Sequence, residues 1–530
     1  MKHAKKFASL LLALVMVFAL ATTAFAANTT AHTITITNKM SGHTYTAYQV
    51  FAGDIQAKPG TTAGEKVLTN IVWGSGVDGD AVLTALKALG NSPYTSCITA
   101  ADVADVLVGF NDNSTELETF AKVVGKHLGT AAGTSTETNG ETSSTYTINV
   151  TGDGYYFVKD TGTIADNDAA TKYILKVVEN VSIAAKAEVP DIDKVIVNAD
   201  SANGGDGKGT AQDVGSVVQF KVTSKVPAMD GYDTYTYIVN DTMSDGLTAV
   251  DGDADGKIDV TITIGGTSYT DFTVVQNGQS FTITFNNFIT QKANANQDIV
   301  ITYAAIINEN ALNTDKETNR VNLEYSNNPN DTTSKGKTPN KIVYVYDFDI
   351  VIDKYTGNET TGTRLEGAKF VLLNSENKYY YYSEGTKKVE WNALAAGETL
   401  ETVLASDYQG TTKITEVTTD TNGAASFKGL DTGTYSLHET EAPAGYNLLK
   451  DNVSVAITAT YGGDGQITSS SAKSTNNGQY QQSQKIENKS GTTLPSTGGM
   501  GTTIFYVLGS VLVLGAVVLL VTKKRMSTKG

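Results

Sequence analysis

Phe348-Asp349-Ile350-Val351-Ile352-Asp353-Lys354 reads as a β-strand with one residue in an unexpected phase. Side chains alternate between the two faces of a strand, so Phe348, Ile350 and Ile352 share a face with Lys354. Elsewhere, Tyr435 and Leu437 run in phase with Glu439, and Ile486 with Asn488. An earlier segment repeats the arrangement. Ile192 and Ile196 flank Lys194, Tyr237 and Val239 lead to Asp241, and Val321 and Leu323 follow Asn319. Each segment thus offers one lysine, one acid and one asparagine to its own core. Asn322 is the alternative to Asn319, but its parity turns it away from Val321 and Leu323.

Burial penalises charge, lowering a lysine pKa and raising that of a carboxyl. A neutral amine is a nucleophile, and a protonated carboxyl can polarise an asparagine side-chain carbonyl. Loss of ammonia would leave a Lys–Asn amide, with the acid as proton shuttle in a single-turnover reaction. The plain alternative places these residues at strand ends with their heads in water, which any one of them alone would favour. Two matching sets shift the balance.

Around these strands the chain divides by texture. Residues 27–188 mix strands (32–37 and 146–150) with helical spacing at 80–89 and 99–110. Thr99 and Asp102 form a capping box, and Ser114 caps a third helix through 128. Residues 189–338 are all-β, with short strands at 217–222, 235–239, 260–264, 281–285, 299–307 and 321–325, the spacing of an Ig-like sandwich. Thr338-Pro339-Asn340 marks the next boundary. Residues 339–490 repeat the all-β texture, including an aromatic strand at 379–383, while polar 469–484 reads as a mobile loop. The expected fold is mainly β, with tandem sandwiches after an N-terminal α/β domain in an elongated rod.

Both ends read as processing signals. Lys2, Lys5 and Lys6 precede an apolar core at 7–20 and the small-x-small Ala24-Phe25-Ala26, so residues 1–26 are expected to be a signal peptide. Residues 491–530 hold Leu494-Pro495-Ser496-Thr497-Gly498-Gly499, an uncharged apolar run at 503–521, and Lys523-Lys524-Arg525. That run is close to the ~20 residues of a membrane-crossing helix, and the trailing cations favour the cytoplasmic side. The formal charge of the 530 residues is −16, or about −23 without the Lys and Arg of the two ends. Such acidity argues against nucleic-acid partners. Cys97 is the sole cysteine, which rules out an intrachain disulfide and suits a small buried residue.

The C-terminal order of motif, apolar run and basic tail resembles the LPXTG-type sorting signal of Gram-positive surface proteins. Tyr435-Ser-Leu-His-Glu-Thr-Glu-Ala-Pro-Ala-Gly-Tyr446 looks like the E-box of Gram-positive pilins and wall-anchored adhesins. Leu365-Glu-Gly-Ala-Lys-Phe370 resembles the start of their prealbumin-like domains, and Leu323-Glu-Tyr-Ser-Asn-Asn-Pro329 the last strand of the preceding one. The resemblance implies isopeptide bonds Lys194–Asn319, assisted by Asp241, and Lys354–Asn488, assisted by Glu439. It also implies that a sortase cleaves between Thr497 and Gly498 and joins Thr497 to a lysine of another subunit. Lys186, in Val181-Ser-Ile-Ala-Ala-Lys186-Ala-Glu-Val-Pro190, stands where the family has that lysine, although the usual Tyr-Pro-Lys is here Ala-Ala-Lys. Lys172, Lys176 and Lys194 compete with it.

The function so implied is the backbone subunit of a covalent pilus (fimbrium), secreted and anchored to the cell wall. Its partners would be sortase, other pilin subunits, peptidoglycan and a host surface ligand. A wall-anchored monomeric adhesin or an accessory pilin is the alternative. Asp251, Asp253, Asp255 and Asp259 have part of a calcium-loop spacing. However, Ile262 stands where an EF-hand needs glutamate, so a Gly/Asp hairpin is the stronger reading. The five histidines (His3, His32, His43, His127 and His438) show no zinc spacing, and no G-x-S-x-G, Walker or Rossmann motif occurs. Neither a turnover enzyme nor a cofactor is expected.

Overall fold

The computed structural model describes residues 30–57, 66–111, 114–170, 172–177, 179–185, 189–199, 203–475, 478–491 and 501–526. The expected signal peptide, Lys186 and Leu494–Gly498 lie outside the described residues.

The N-terminal unit has three layers. One sheet orders strands Thr136–Asn139, Ser144–Thr151, Ala31–Asn38 and Val181–Ala184, and a second orders Lys66–Trp73, Tyr45–Ala57, Gly154–Asp160 and Lys172–Val177. Helices Gly79–Lys87, Ala100–Val108 and Thr115–Lys126 cover the outer face of the second sheet. Strand Gly154–Asp160 explains the layering. Tyr156 and Val158 pack into the intersheet core with Ile34, Ile36 and Ile148, while Tyr155 and Phe157 face the helices with Leu86, Val103 and Phe120. A strand buried on both faces loses the polar alternation of a half-exposed one. The helix starts follow local chemistry: Thr99 and Asp102 form the reciprocal capping box, and the Ser114 side chain accepts from Leu117 N.

The middle unit is a sandwich. Strands Ile192–Ile196, Val217–Lys225, Asp298–Ile307, Thr261–Ile264 and Thr267–Ser268 form one sheet. Gly209–Ala211, Lys341–Tyr346, Glu317–Ser326, Tyr237–Met243, Ser280–Phe285 and Phe272–Asn277 form the other. The sequence boundary at 338/339 therefore moves. Lys341–Tyr346 pairs with Glu317–Ser326, and Val343 and Val345 enter the middle core, while Tyr346 already belongs to the next one. A Pro-Asn turn marked the start of a strand rather than of a domain.

In the C-terminal sandwich, Phe348–Thr356 lies between Thr363–Arg364 and Tyr480–Glu487 and also pairs with Ala424–Leu430. The facing sheet contains Lys388–Asn392, Tyr379–Ser383, Lys369–Leu373, Gly433–Glu441 and Val453–Ile457. Strands stand in place of the loop expected at 469–484. Ile467–Ser470, Lys473–Ser474 and Tyr480–Glu487 are strands, the last paired in parallel with Phe348–Thr356. Backbone pairing tolerates Ser and Gln, so composition alone hid it.

The units dock through specific contacts. Tyr325 Oη donates to Asp166 O at 3.2 Å, and Ala170 N to Asn327 O at 2.7 Å. Between middle and C-terminal units, Trp391 Nε1 donates to Asp213 Oδ2 at 2.7 Å, and Asp431 N to Asp213 Oδ1 at 2.8 Å. Gly429 holds φ +69° there. A Cβ on it would meet Val214 Cγ2 at 2.8 Å, so only glycine permits this approach.

Candidate functional site: two buried lysine, acid and asparagine sets

In the middle sandwich the strand patterns place every member of the set inside. Ile192–Ile196 buries alternate residues and leaves Lys194 at 0% exposure, while Asp241 is 2% and Asn319 0% exposed. Lys194 Nζ donates to Asp241 Oδ2 at 2.7 Å and also contacts Asn319 Oδ1. Lys194 and Asn319 sit on opposite sheets, so the contact spans the sandwich. The rings of Phe220 and Tyr303 each lie 5.3 Å from Nζ. Asn322 points outward and donates to Asn340 Oδ1 at 2.9 Å. Burial pulls the Lys194 amine down to about 8, although Asp241 opposes the fall, and burial pushes the Asp241 carboxyl up. Both shifts favour the uncharged pair.

The C-terminal sandwich assembles the equivalent set within one sheet and its facing strand. Lys354 is 0%, Glu439 2% and Asn488 1% exposed. Lys354 Nζ lies 3.1 Å from Glu439 Oε1. Glu439 Oε2 accepts from Asn488 Nδ2 at 3.1 Å and from Leu449 N at 2.8 Å. Asn488 Nδ2 also donates to Asn447 O at 2.5 Å. Burial lowers the Lys354 pKa against the pull of Glu439. The Phe370 ring lies 5.3 Å from Nζ and keeps the pocket apolar.

Two features were not anticipated from sequence. Tyr303 joins the middle set, its hydroxyl donating to Asp241 Oδ2 at 2.5 Å and accepting from Asn319 Nδ2 at 3.2 Å. Its phase with Ile299 and Ile301 was readable, and a buried hydroxyl needs a partner. In the N-terminal unit, His43 is buried between two acids, with Nδ1 2.5 Å from Asp160 and Nε2 2.9 Å from Asp168. Those three positions are far apart in sequence and carry no local motif. Asp251, Asp253 and Asp259 do approach one another, without Asp255, but their carboxylates accept from Gly252, Asp255 and Gly256 N–H groups of the loop itself. This is the hydrogen-bonding of a Gly/Asp turn.

Three segments of the chain match known families. Residues 214–329 match the Gram-positive pilin backbone subunit 2, Cna-B-like domain; 349–473 a prealbumin-like fold domain; and 486–527 the LPXTG cell wall anchor motif. The chain carries the domains of Gram-positive pilins. These are domains of structural pilus subunits, and the anchor motif is that of secreted, cell-wall-attached proteins. It is 28% identical over 277 residues to fimbrial subunit type 2 of Actinomyces naeslundii, covering 46% of this chain and 47% of that one. The chain thus spans about half the length of that relative. The trypsin-resistant surface T6 protein of Streptococcus pyogenes serotype M6 is 25% identical over 410 residues, 64% of this pilin and 70% of that protein. Among solved structures, the T6 backbone pilin of serotype M6 Streptococcus pyogenes superposes with TM-score 0.49 at 19% identity over 80% of each chain. The major pilin SpaD of Corynebacterium diphtheriae gives 0.44 at 16% identity, over 88% of this chain and 98% of that one. Helix Gly501–Met526 fits the anchor's membrane segment. Its stretch Phe505–Arg525 is 21 residues long with mean hydropathy 2.5.

Proposed function

We propose that this pilin is the repeating backbone subunit of a covalent fibre, and that each of its two sandwiches closes an internal Lys–Asn amide. In each reaction the lysine Nζ adds to the asparagine Cγ, the Cγ–Nδ2 bond breaks and ammonia leaves. The neighbouring acid, Asp241 or Glu439, moves the proton. Sortase then joins the Thr497 carbonyl of one subunit to the Lys186 amine of the next, and the last subunit to peptidoglycan. The domain division proposed with it is 27–188, 189 to about 347, and 348–490, between the two processing signals.

The observation that carries this reading is the Lys194, Asp241 and Asn319 set, with amine, acid and amide in contact at the centre of an apolar core. An ion pair in such a place gains little over an apolar core, whereas a covalent brace there gives a filament subunit resistance to tension. Lys186 is favoured as the acceptor because strand Val181–Ala184 closes the first unit just before it.

Wall extracts of cells expressing this pilin should show a high-molecular-weight ladder on denaturing gels, and Lys186→Ala should collapse it to monomer. A ladder that survives the substitution moves the acceptor to Lys172, Lys176 or another lysine. No ladder in the unaltered protein favours the wall-anchored adhesin that binds a host ligand as a monomer. Intact mass tests the internal bonds separately, since each lowers it by about 17 Da.

A further inference from the structure

The two buried sets differ in how the acid reaches the nitrogen that must leave. Asn488 Nδ2 donates directly to Glu439 Oε2 at 3.1 Å. In the middle sandwich the acid is an aspartate, one methylene shorter. Here Asn319 Nδ2 donates to Tyr303 Oη at 3.2 Å, and that hydroxyl donates to Asp241 Oδ2 at 2.5 Å. The same Oδ2 accepts from Lys194 Nζ at 2.7 Å. A continuous path therefore runs from the attacking amine through Oδ2 and Oη to the leaving nitrogen. Tyr303 is locked in that path by ring packing on Phe220 and Phe281, with centroids 5.4 and 5.1 Å away.

We propose that Tyr303 is a catalytic residue of the middle-domain condensation, its hydroxyl relaying a proton from Asp241 to the departing Asn319 nitrogen. The inference rests on the Lys194–Asn319 reading above. When Nζ adds to Cγ, the Nδ2 lone pair is no longer shared with a carbonyl. That nitrogen becomes basic, and its hydrogen bond to Tyr303 reverses. Tyr303 gives its proton to Nδ2 and takes one from Asp241, while Asp241 receives the proton that Nζ sheds. The Cγ–Nδ2 bond breaks and ammonia departs, leaving Tyr303 and Asp241 as they began. No co-reactant is required. Burial, reinforced by Asp241, holds the phenol well above its ordinary value, so it enters the reaction protonated. The glutamate site needs no such relay because its acid already touches the leaving nitrogen.

The test uses the full chain, purified unfolded in denaturant before either link forms and refolded by dilution. Cross-linked peptides are then quantified by mass spectrometry over time and across pH. In Tyr303→Phe the Lys194–Asn319 link should form on the order of 10²-fold more slowly, the usual range for a lost proton-transfer group. The Lys354–Asn488 link, in the same molecules, should keep its original rate. Fluorotyrosine at position 303 preserves shape but acidifies the hydroxyl, and should shift the pH profile of the first link alone. Equal rates in Tyr303→Phe and the unaltered chain would overturn the role of Tyr303 while leaving the bond reading intact. Absence of the Lys194–Asn319 link from the unaltered chain would remove the underlying reading itself. If Tyr303→Phe loses both links through misfolding, the fluorotyrosine chain decides: an unchanged profile overturns the relay, a shifted one supports it.

Discussion

Lys354 lies near the C-terminal end of the first strand of its sandwich, and Asn488 directly follows the last, parallel and adjacent to it. Lys354 stands in register with Ile486, and Asn488 N donates to Tyr355 O at 3.0 Å. The first and last strands of the C-terminal sandwich therefore run side by side at their C-terminal ends, although most of the domain's sequence separates them. A bond there would let tension pass from the entering strand to the exit without loading the intervening strands. In the middle sandwich the corresponding contact crosses the two sheets, between Lys194 and Asn319, 125 positions apart.

Removing the acid should be worse than removing the lysine. Lys354→Met deletes the bond and the buried amine together, and should cost roughly the 4–5 kcal/mol that the chain-entropy model assigns to a cross-link closing a loop of this size. Glu439→Gln also prevents the bond but leaves the amine buried without its carboxylate, which adds about 3 kcal/mol more. Scanning calorimetry of the two variants should place the C-terminal transition of Glu439→Gln lower. Equal transitions would mean that Lys354 reaches water when unpaired.

The His43 site should make the N-terminal unit alkali-sensitive. Burial alone would lower the imidazole pKa, but Asp160 and Asp168 outweigh it and raise it to about 9. The folded state thus holds the proton more tightly than the unfolded chain. That stabilisation is complete below pH 6.5 and disappears as pH rises through about 9, a difference of about 3 kcal/mol. His43→Gln should flatten the dependence between pH 6 and 9.5. A melting curve for the unaltered protein that stays level over that range would refute the charged, clamped histidine.

Sequence reading succeeded where a residue's phase carried the information. Lys194, Asp241, Asn319, Lys354 and Glu439 all stand in step with apolar neighbours, and all five are buried. Parity favoured Asn319 over Asn322 without excluding the latter, and Asn319 is the buried one. Phase says nothing about which strands become neighbours, so the pairing of Tyr480–Glu487 with Phe348–Thr356 was invisible in a Ser/Gln-rich stretch. Strand Lys341–Tyr346 was assigned to the wrong sandwich because its alternating residues could serve either core. Tyr303 and the His43 clamp escaped for a related reason: both depend on contacts between distant segments, which one-dimensional spacing does not encode.

Cys97 should report unfolding of the helical layer. It is 2% exposed, packs with Tyr94, Ala100 and Val103, and burial raises its thiol pKa. A maleimide should leave the native protein unlabelled at pH 7 and react fully in denaturant, with the midpoint following loss of helix by circular dichroism. Rapid labelling of the native chain would show that the layer opens without global unfolding.

The joint between the two sandwiches should tighten in acid. Asp349 is 1% exposed. Its Oδ1 accepts from Gly429 N at 3.3 Å. Burial pushes its carboxyl up to about 6, and nearby Asp347 is also raised, by burial and then by Asp349, Glu317 and Asp213. For a carboxyl raised in the folded state, the native protein binds the proton more tightly. Stability is therefore lost as pH climbs through about 6 and fully present below about 4. Asp349→Asn removes the buried charge and should raise the unfolding free energy of the C-terminal sandwich by up to about 3 kcal/mol at pH 7, with the gain vanishing at pH 4. Denaturant titration at the two pH values separates this from a simple packing effect, which would change stability equally at both. The location matters for a fibre: Asp213, which anchors Trp391 and Asp431 across the joint, is itself pushed up by burial. Acidification would then reinforce the contact through which one sandwich passes tension to the next.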